Sequence, residues 1–339
     1  MEFAHRTALQ INIYPLDLPH LRASLSNQLK MWGAQVDAIS ITLDIRRSSA
    51  GRYRGDRYDE YLGEMRTLLA ALRVEHPTLS VSEVDYSDAA RAQVAARYFR
   101  GGVLPDKAWD GGPFYSYFYG LYAADARYIF HIDGDMLFGG GSQRWIEEAI
   151  AYMEQHPDTL LMAPLAGPPH PGQASAQHRL QLGGIARVLP HSSTALEFDH
   201  VSTRVFFMDM QRFAERVGAV DLQPLSTSQR LKAKLLGHPP IALEAENLLS
   251  STMRRRGLHR VDLLGEGAGM WSLHPPFRSP QYYRDLPAII ARIEAGDVPS
   301  GQLGDHNLND SMIDWSSARA QQTFQKRMLR HFKHVVSRR

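Results

Sequence analysis

The chain has 339 residues, enough for one large domain or two modest ones, and its 44% hydrophobic and 22% charged residues are ordinary globular composition, which excludes a disordered chain or a fibre. Lys plus Arg number 38 against 36 for Asp plus Glu, a net charge of +2, which excludes a global binder of nucleic acid. Cysteine is absent, so disulfides, thiolate zinc sites and cysteine nucleophiles are excluded, while oxygen ligands and 15 His remain.

Residues 9–14 form a short β-prone run that stops at Pro15, after which Leu21, Leu25, Leu29 and Trp32 recur at helical spacing. Residues 36–43 read as a second strand ending at Asp44, and 46–57 as a polar, glycine-containing loop. Tyr61, Met65, Leu68 and Leu72 predict a helix, 79–84 a third strand ending at Asp85, and 128–132 a fourth running into Asp133-Gly134-Asp135. This β-α-β-α-β order predicts a parallel sheet with helical crossovers. Such sheets bind ligands at the carboxyl ends of their strands, where Asp44, Asp85 and Asp133 fall.

The second half is less regular. Ser142 opens an amphipathic helix with Trp145, Ile146, Ala149, Ile150 and Met153 on one face. The Pro-, Gly- and His-rich stretch 164–184 reads as a long loop, functional or merely mobile. Residues 203–208 are strand-like and 211–217 helical; 242–256 form a strong helix stopped by Gly257, and 271–276 an extended segment broken at Pro275-Pro276. Residues 321–339 hold six Lys or Arg and no acid. No stretch reaches the ~18 apolar residues of a membrane span and the N-terminus carries no signal-peptide core, so a soluble, cytoplasmic protein is expected.

Asp133-Gly134-Asp135 is the sharpest motif. Two carboxylates at a strand end suit a divalent cation, which would bridge a diphosphate and neutralise the charge developing on it. A turn with two capping Asp is the plainer alternative. An EF-hand is disfavoured, because Leu137 occupies its fifth position. Gly139-Gly140-Gly141-Ser142 could cradle a phosphate, but it lacks the Lys of a P-loop, and Ser142 reads as an ordinary N-cap. Phe114, Tyr115, Tyr117, Phe118, Tyr119 and Tyr122 read as helix core ahead of a stacking platform. The basic C-terminus reads as a solvated helix or oligomer contact ahead of a dock for anionic membrane.

The segment Ser116-Tyr117-Phe118-Tyr119-Gly120, followed by 123–136 with its Asp133-Gly134-Asp135, resembles the signature of GT-A-fold, family-2-like glycosyltransferases. Residues 11–15 and 39–44 are similar to that family's first two strands. The resemblance implies an α/β fold with a Rossmann-like nucleotide-binding sheet, mostly parallel and flanked by helices. Residues 1–138 would form the nucleotide-sugar-binding half, 139–280 the acceptor-binding and catalytic half, and 281–339 a C-terminal helical extension. It also implies a UDP-, GDP- or dTDP-linked sugar donor, a Mn2+ or Mg2+ ion, and a sugar-containing or small-molecule acceptor.

On the matching positions Tyr14 and Pro15 would line the nucleoside pocket, Asp44 would bond the base, Asp133 the ribose or sugar, and Asp135 would ligate the metal. Tyr117 stands where the family often has Arg, so the diphosphate contact would pass to Lys107 or Arg100. Glu244-Ala245-Glu246 and the basic helix to Gly257 are similar to the family's acidic helix start. That puts Glu246 at the catalytic-base position, with Glu244 as fallback. Such a carboxylate would take the acceptor hydroxyl proton in an inverting transfer; read on its own, it is a solvated helix N-terminus. His274 resembles a further metal ligand, with His306 as competitor. Glu266 and Trp271 would border the acceptor site, and Arg52, Arg54 and Arg57 a loop near the donor. The alternatives to a metal-dependent glycosyltransferase are a haloacid-dehalogenase-like phosphatase using Asp133 and Asp135, and a non-catalytic nucleotide-sugar-binding protein.

Overall fold

The computed structural model describes residues 2–48, 57–170, 187–188, 195–236 and 243–321. Strands β1 (His5–Ile13), β2 (Ala38–Leu43) and β3 (Leu79–Glu83) alternate with helices α1 (Leu18–Trp32) and α2 (Tyr58–Glu75). Helices α3 (Asp88–Tyr98) and α4 (Tyr115–Ala124) then lead into β4 (Ala126–Asp133). β1 pairs in parallel with β2 on one side and β4 on the other, and β3 lies outside β2. The chain therefore winds outward from β1 to β3 and returns to place β4 on the opposite flank. In parallel sheets such a reversal of strand order is where a ligand crevice forms, here outside the carboxyl ends of β1 and β4.

The chain continues through β5 (Leu137–Gly140), α5 (Trp145–Gln155), β6 (Thr159–Ala166), β7 (Arg187–Val188), β8 (Ala195–Phe198) and β9 (Val205–Asp209). Then follow α6 (Thr227–Leu236), α7 (Ala245–Arg256), β10 (His259–Leu263), β11 (Met270–Leu273), α8 (Pro280–Glu294) and α9 (Ser316–Gln321). The sheet runs β3-β2-β1-β4-β9-β6-β10-β8-β7, with β11 and β5 attached at β6. Along that path β9 and β8 oppose the direction of the others, so the sheet is mostly parallel. Helices flank it, as the sequence order predicts.

Successive residues of β1 and β4 feed opposite cores, as the two-residue side-chain period requires. Leu9, Ile11, Phe130 and Ile132 pack with Leu21, Leu25, Leu29 and Trp32 of α1, Met65 of α2 and Trp145 of α5. Ala8 and Ile129 pack the other way, against Tyr115, Phe118 and Leu121 of α4 and Leu248 and Met253 of α7. A third cluster, Leu273, Tyr282, Leu286 and Trp315 among its members, holds β11, α8 and α9 together. The Tyr282 hydroxyl meets His20 Nδ1 at 3.2 Å, tying α8 to α1.

Several boundaries differ from the sequence reading. β6 continues through Pro164 to Ala166, so a buried strand takes the start of the expected loop, and 171–184 lie outside the described residues. Helix α5 begins at Trp145, and the Ser142 hydroxyl accepts from Arg144 N at 3.2 Å, two residues early for an N-cap. Arg52, Arg54 and the basic stretch from 322 onward also lie outside the described residues. Among the described residues no helix is long and apolar enough to cross a membrane.

Candidate active site

Parallel pairing brings the exits of β1, β2 and β4 to one edge, with Ile13 opposite Leu43 and Asn12 opposite Asp133. Beyond β2, Asp44 is buried; it accepts Arg46 N at 2.9 Å, the Tyr86 hydroxyl at 2.6 Å and Lys107 Nζ at 2.5 Å. Beyond β1, the Tyr14 hydroxyl accepts from Ser48 N at 3.0 Å, with the Tyr58 ring 5.7 Å away and the Lys107 ammonium 5.4 Å from its own ring. Burial pushes the Tyr14 phenol up to about 12, so it stays neutral. Pro15 is buried at the head of the turn leading to α1. Tyr14, Pro15, Asp44 and Lys107 thus form one group, in which Lys107 is already paired. Arg100 pairs elsewhere, with Asp221 at 3.4 Å on the surface.

At the end of β4 the Tyr117 hydroxyl donates to both oxygens of Asp133, at 2.8 and 2.9 Å. Tyr117 reaches it because α4 lies close on β1 at Gly120, where a Cβ would stand 2.6 Å from Gln10 Nε2. A tyrosine hydroxyl therefore sits at the position where the resemblance expects a cation.

Asp135 follows the turn after β4. Its Oδ2 accepts from Arg278 Nη2, while Arg278 Nη1 donates to Asp17, which in turn accepts Tyr14 N at 2.9 Å. His274, just beyond β11, holds Nε2 at 3.9 Å from that same Asp135 oxygen and Nδ1 at 3.4 Å from Asn307 Oδ1. The two expected metal ligands do converge. Burial alone would raise the Asp135 carboxyl, but Arg278, aided by His274 and His20, overrides it and holds the group well below the usual carboxylate range. Burial lowers His274 to about 4, so its ring is neutral near pH 7.

An ionised carboxylate and a neutral imidazole are suitable ligand types. However, a guanidinium occupies the Asp135 oxygen, and among the described residues no cluster of three or more His, Asp or Glu gathers around a common point. With Arg278 in place, these residues do not fit Mn2+ or Mg2+.

Glu246 lies in the first turn of α7, half-buried, and among the described residues no hydrogen bond reaches its carboxylate. Burial raises its pKa; Arg204 and Arg260 oppose that rise, and Glu244 and Asp133 add to it. Glu244, the residue capping the helix, is engaged by Asn247 Nδ2 at 2.7 Å.

Two arginines at the crevice have no counterpart in the sequence reading. Arg204 immediately precedes β9, where Val205 lies opposite Ile132, and its carbonyl accepts Asp133 N at 2.8 Å. Among the described residues its guanidinium has no hydrogen-bond or ion-pair partner, and its charge acts on both Glu246 and His274. Arg278 stands just before Ser279-Pro280, a capping Ser and an N1 Pro that mark the start of α8. That helix signal is readable in the sequence, but it says nothing of which carboxylate a neighbouring Arg will meet.

The remaining expected positions lie apart from this edge or inside the core. Trp271 is buried over Gly139, where a Cβ would fall 2.1 Å from its ring. A second close approach follows at Gly140, at φ +103°, where a Cβ would stand 2.2 Å from the Gly269 carbonyl oxygen. Glu266 is exposed, its N–H donating to Glu148 at 3.0 Å. His306 is buried, stacked 6.2 Å from His274, and its carbonyl accepts His274 N at 2.9 Å. Arg57 is exposed at the start of α2, paired with Glu60. Phe114, Tyr115 and Phe118 are core, as expected, while Tyr122 is 38% exposed.

By sequence the chain matches no protein-family model and no curated protein. Among solved structures it is similar to UDP-glucose pyrophosphorylase complexed with UDP-glucose, at 9% identity, over 77% of this chain and 92% of that one, with a TM-score of 0.40. It is also similar to the mannosyltransferase PcManGT of Pyrobaculum calidifontis in complex with GDP-Man and Mn2+, at 11% identity over 87% and 65% of the two chains, TM-score 0.35. A third is S. aureus TarS, at 11% identity over 87% and 41%, TM-score 0.36. TM-scores below 0.5 carry no argument about activity, which therefore rests on the geometry of the crevice.

Proposed function

We propose that the chain is a glycosyltransferase that moves a sugar from a nucleoside-diphosphate donor to an acceptor hydroxyl with inversion. The observation that carries this reading is Glu246: a carboxylate at a strand-end crevice, without a hydrogen-bond partner among the described residues and with its pKa raised by burial. A general base needs just that combination of reach and basicity. In the reaction Glu246 accepts the proton of the acceptor hydroxyl as that oxygen bonds to the anomeric carbon. The bond from that carbon to the diphosphate breaks, and the diphosphate leaves with the electron pair. Tyr14, Pro15 and Asp44, grouped at the exits of β1 and β2, would line the nucleoside site, and Asp133 would meet the ribose or sugar.

Mn2+ or Mg2+ held by Asp135 and His274, the other means of neutralising the diphosphate, is opposed by Arg278 on the same Asp135 oxygen, although the two side chains approach to 3.9 Å. A phosphatase using Asp133 and Asp135 is less well supported. Its acid would have to be Asp135, which Arg278 holds ionised. The test is release of nucleoside diphosphate from UDP-, GDP- and dTDP-linked sugars. Release from one of them is expected, and release from none overturns the reading.

A further inference from the structure

The crevice gathers cationic groups where an ion was expected. Arg278 is anchored by Asp17 and Asp135, one through each terminal nitrogen, which fixes the plane of its fork. Its side chain is still 35% exposed, and among the described residues Nε–H and the second hydrogens on Nη1 and Nη2 meet no partner. Arg204 comes from the opposite strand, its carbonyl accepting Asp133 N at 2.8 Å, and its guanidinium is unpaired among the described residues. His274 links the two, since both guanidiniums act on its ring and its Nε2 lies 3.9 Å from Asp135. Arginine forks match phosphate oxygens in bidentate geometry, and one oriented beforehand loses little freedom on binding. Lys107 and Arg100, the other cations considered for this contact, are paired with Asp44 and Asp221.

We propose that Arg204 and Arg278 form a two-arginine clamp that holds and neutralises the donor diphosphate in place of a divalent ion. This rests on the glycosyl-transfer reading of the same crevice. Arg278 is the pre-oriented jaw, and Arg204 the free jaw that pairs only when the diphosphate arrives. As the anomeric bond breaks, the charge left on the diphosphate falls between one guanidinium oriented beforehand and one that closes on it, and the first supplies the preorganised part of the stabilisation.

Calorimetric titration of the full chain with UDP, GDP and dTDP, in EDTA and again with Mn2+, tests the clamp. The wild type is expected to bind one of these nucleotides equally well in both buffers. Arg204→Gln and Arg278→Gln are each expected to weaken it about 10- to 100-fold, as for the loss of a charge-assisted contact. Both variants should bind the matching free nucleoside as the wild type does, a comparison that separates a phosphate contact from general damage. Arg278→Lys keeps the charge without the fork and covers the case in which Arg278→Gln does not fold; it should fall between the two. Binding that appears only with Mn2+ overturns the clamp and leaves the transferase reading standing. So does diphosphate affinity unchanged in Arg204→Gln. No binding of any nucleotide in either buffer overturns both.

Discussion

On the β4 side of the crevice Asp135 is enclosed and gripped by a guanidinium, while on the α7 side Glu246 carries no hydrogen bond from the described residues. Both carboxylates are desolvated, and desolvation pushes both pKa values upward. What separates them is the neighbour. A direct Arg278 pair reverses the rise at Asp135, whereas Arg204 and Arg260 act on Glu246 only through space and leave its rise standing. The pair illustrates how one crevice can hold a permanently charged anchor beside a carboxylate that exchanges protons.

The largest effect is expected at Glu246. Glu246→Gln keeps the shape and removes the base, so turnover should drop about 100- to 10,000-fold. Nucleoside diphosphate affinity, measured alongside, should be unchanged. Asp135→Asn should do the reverse. It loosens the anchor of Arg278, and the expected outcome is about a tenfold loss of nucleoside diphosphate affinity with a smaller loss of turnover. The associated stability loss should be only about 1 kcal/mol in thermal melts, because the Arg278 side chain is 35% exposed and solvent screens the pair.

The smallest effects are the most diagnostic, because they differ in sign. Glu246 has a raised pKa in the fold, so the folded state holds its proton more tightly than the unfolded chain does and stability rises as pH falls through that range. Glu246→Gln should therefore be stabilising near pH 7, by about 0.5–2 kcal/mol, as is common where a functional group is removed. Asp135 has a depressed pKa, so its contribution is present above its unfolded value and is lost as pH falls through the folded one. Melting temperature followed against pH for the two variants checks both signs; a shift in the same direction for both would break the comparison.

Much of this arrangement is legible in the sequence where the physics is local. Tyr128 to Ile132 is buried on both sheet faces, so it is written as a nearly continuous apolar run, and the Asp after it marks the strand exit. The convergence of Asp135 with His274 is implied by resemblance and is met in the fold. β10 is less readable: His259–Leu263 contains Arg260 and Asp262, a buried pair with bonds of 2.6 and 2.7 Å, so a core strand looks like a charged loop. The Arg278 anchor and the Arg204 position are not legible at all. Each depends on which strand ends become neighbours, information carried by sheet order and not by residue spacing.

The most direct test of Glu246 is turnover of the accepted sugar nucleotide as a function of pH, in wild type and in Glu246→Gln. The wild-type rate should fall on the acid side with a midpoint above the ordinary glutamate value of 4.5, since burial raises that group. The variant should be slow and should lack that limb. A Glu246→Gln profile that keeps both the wild-type rate and its acid limb contradicts the assignment of the base.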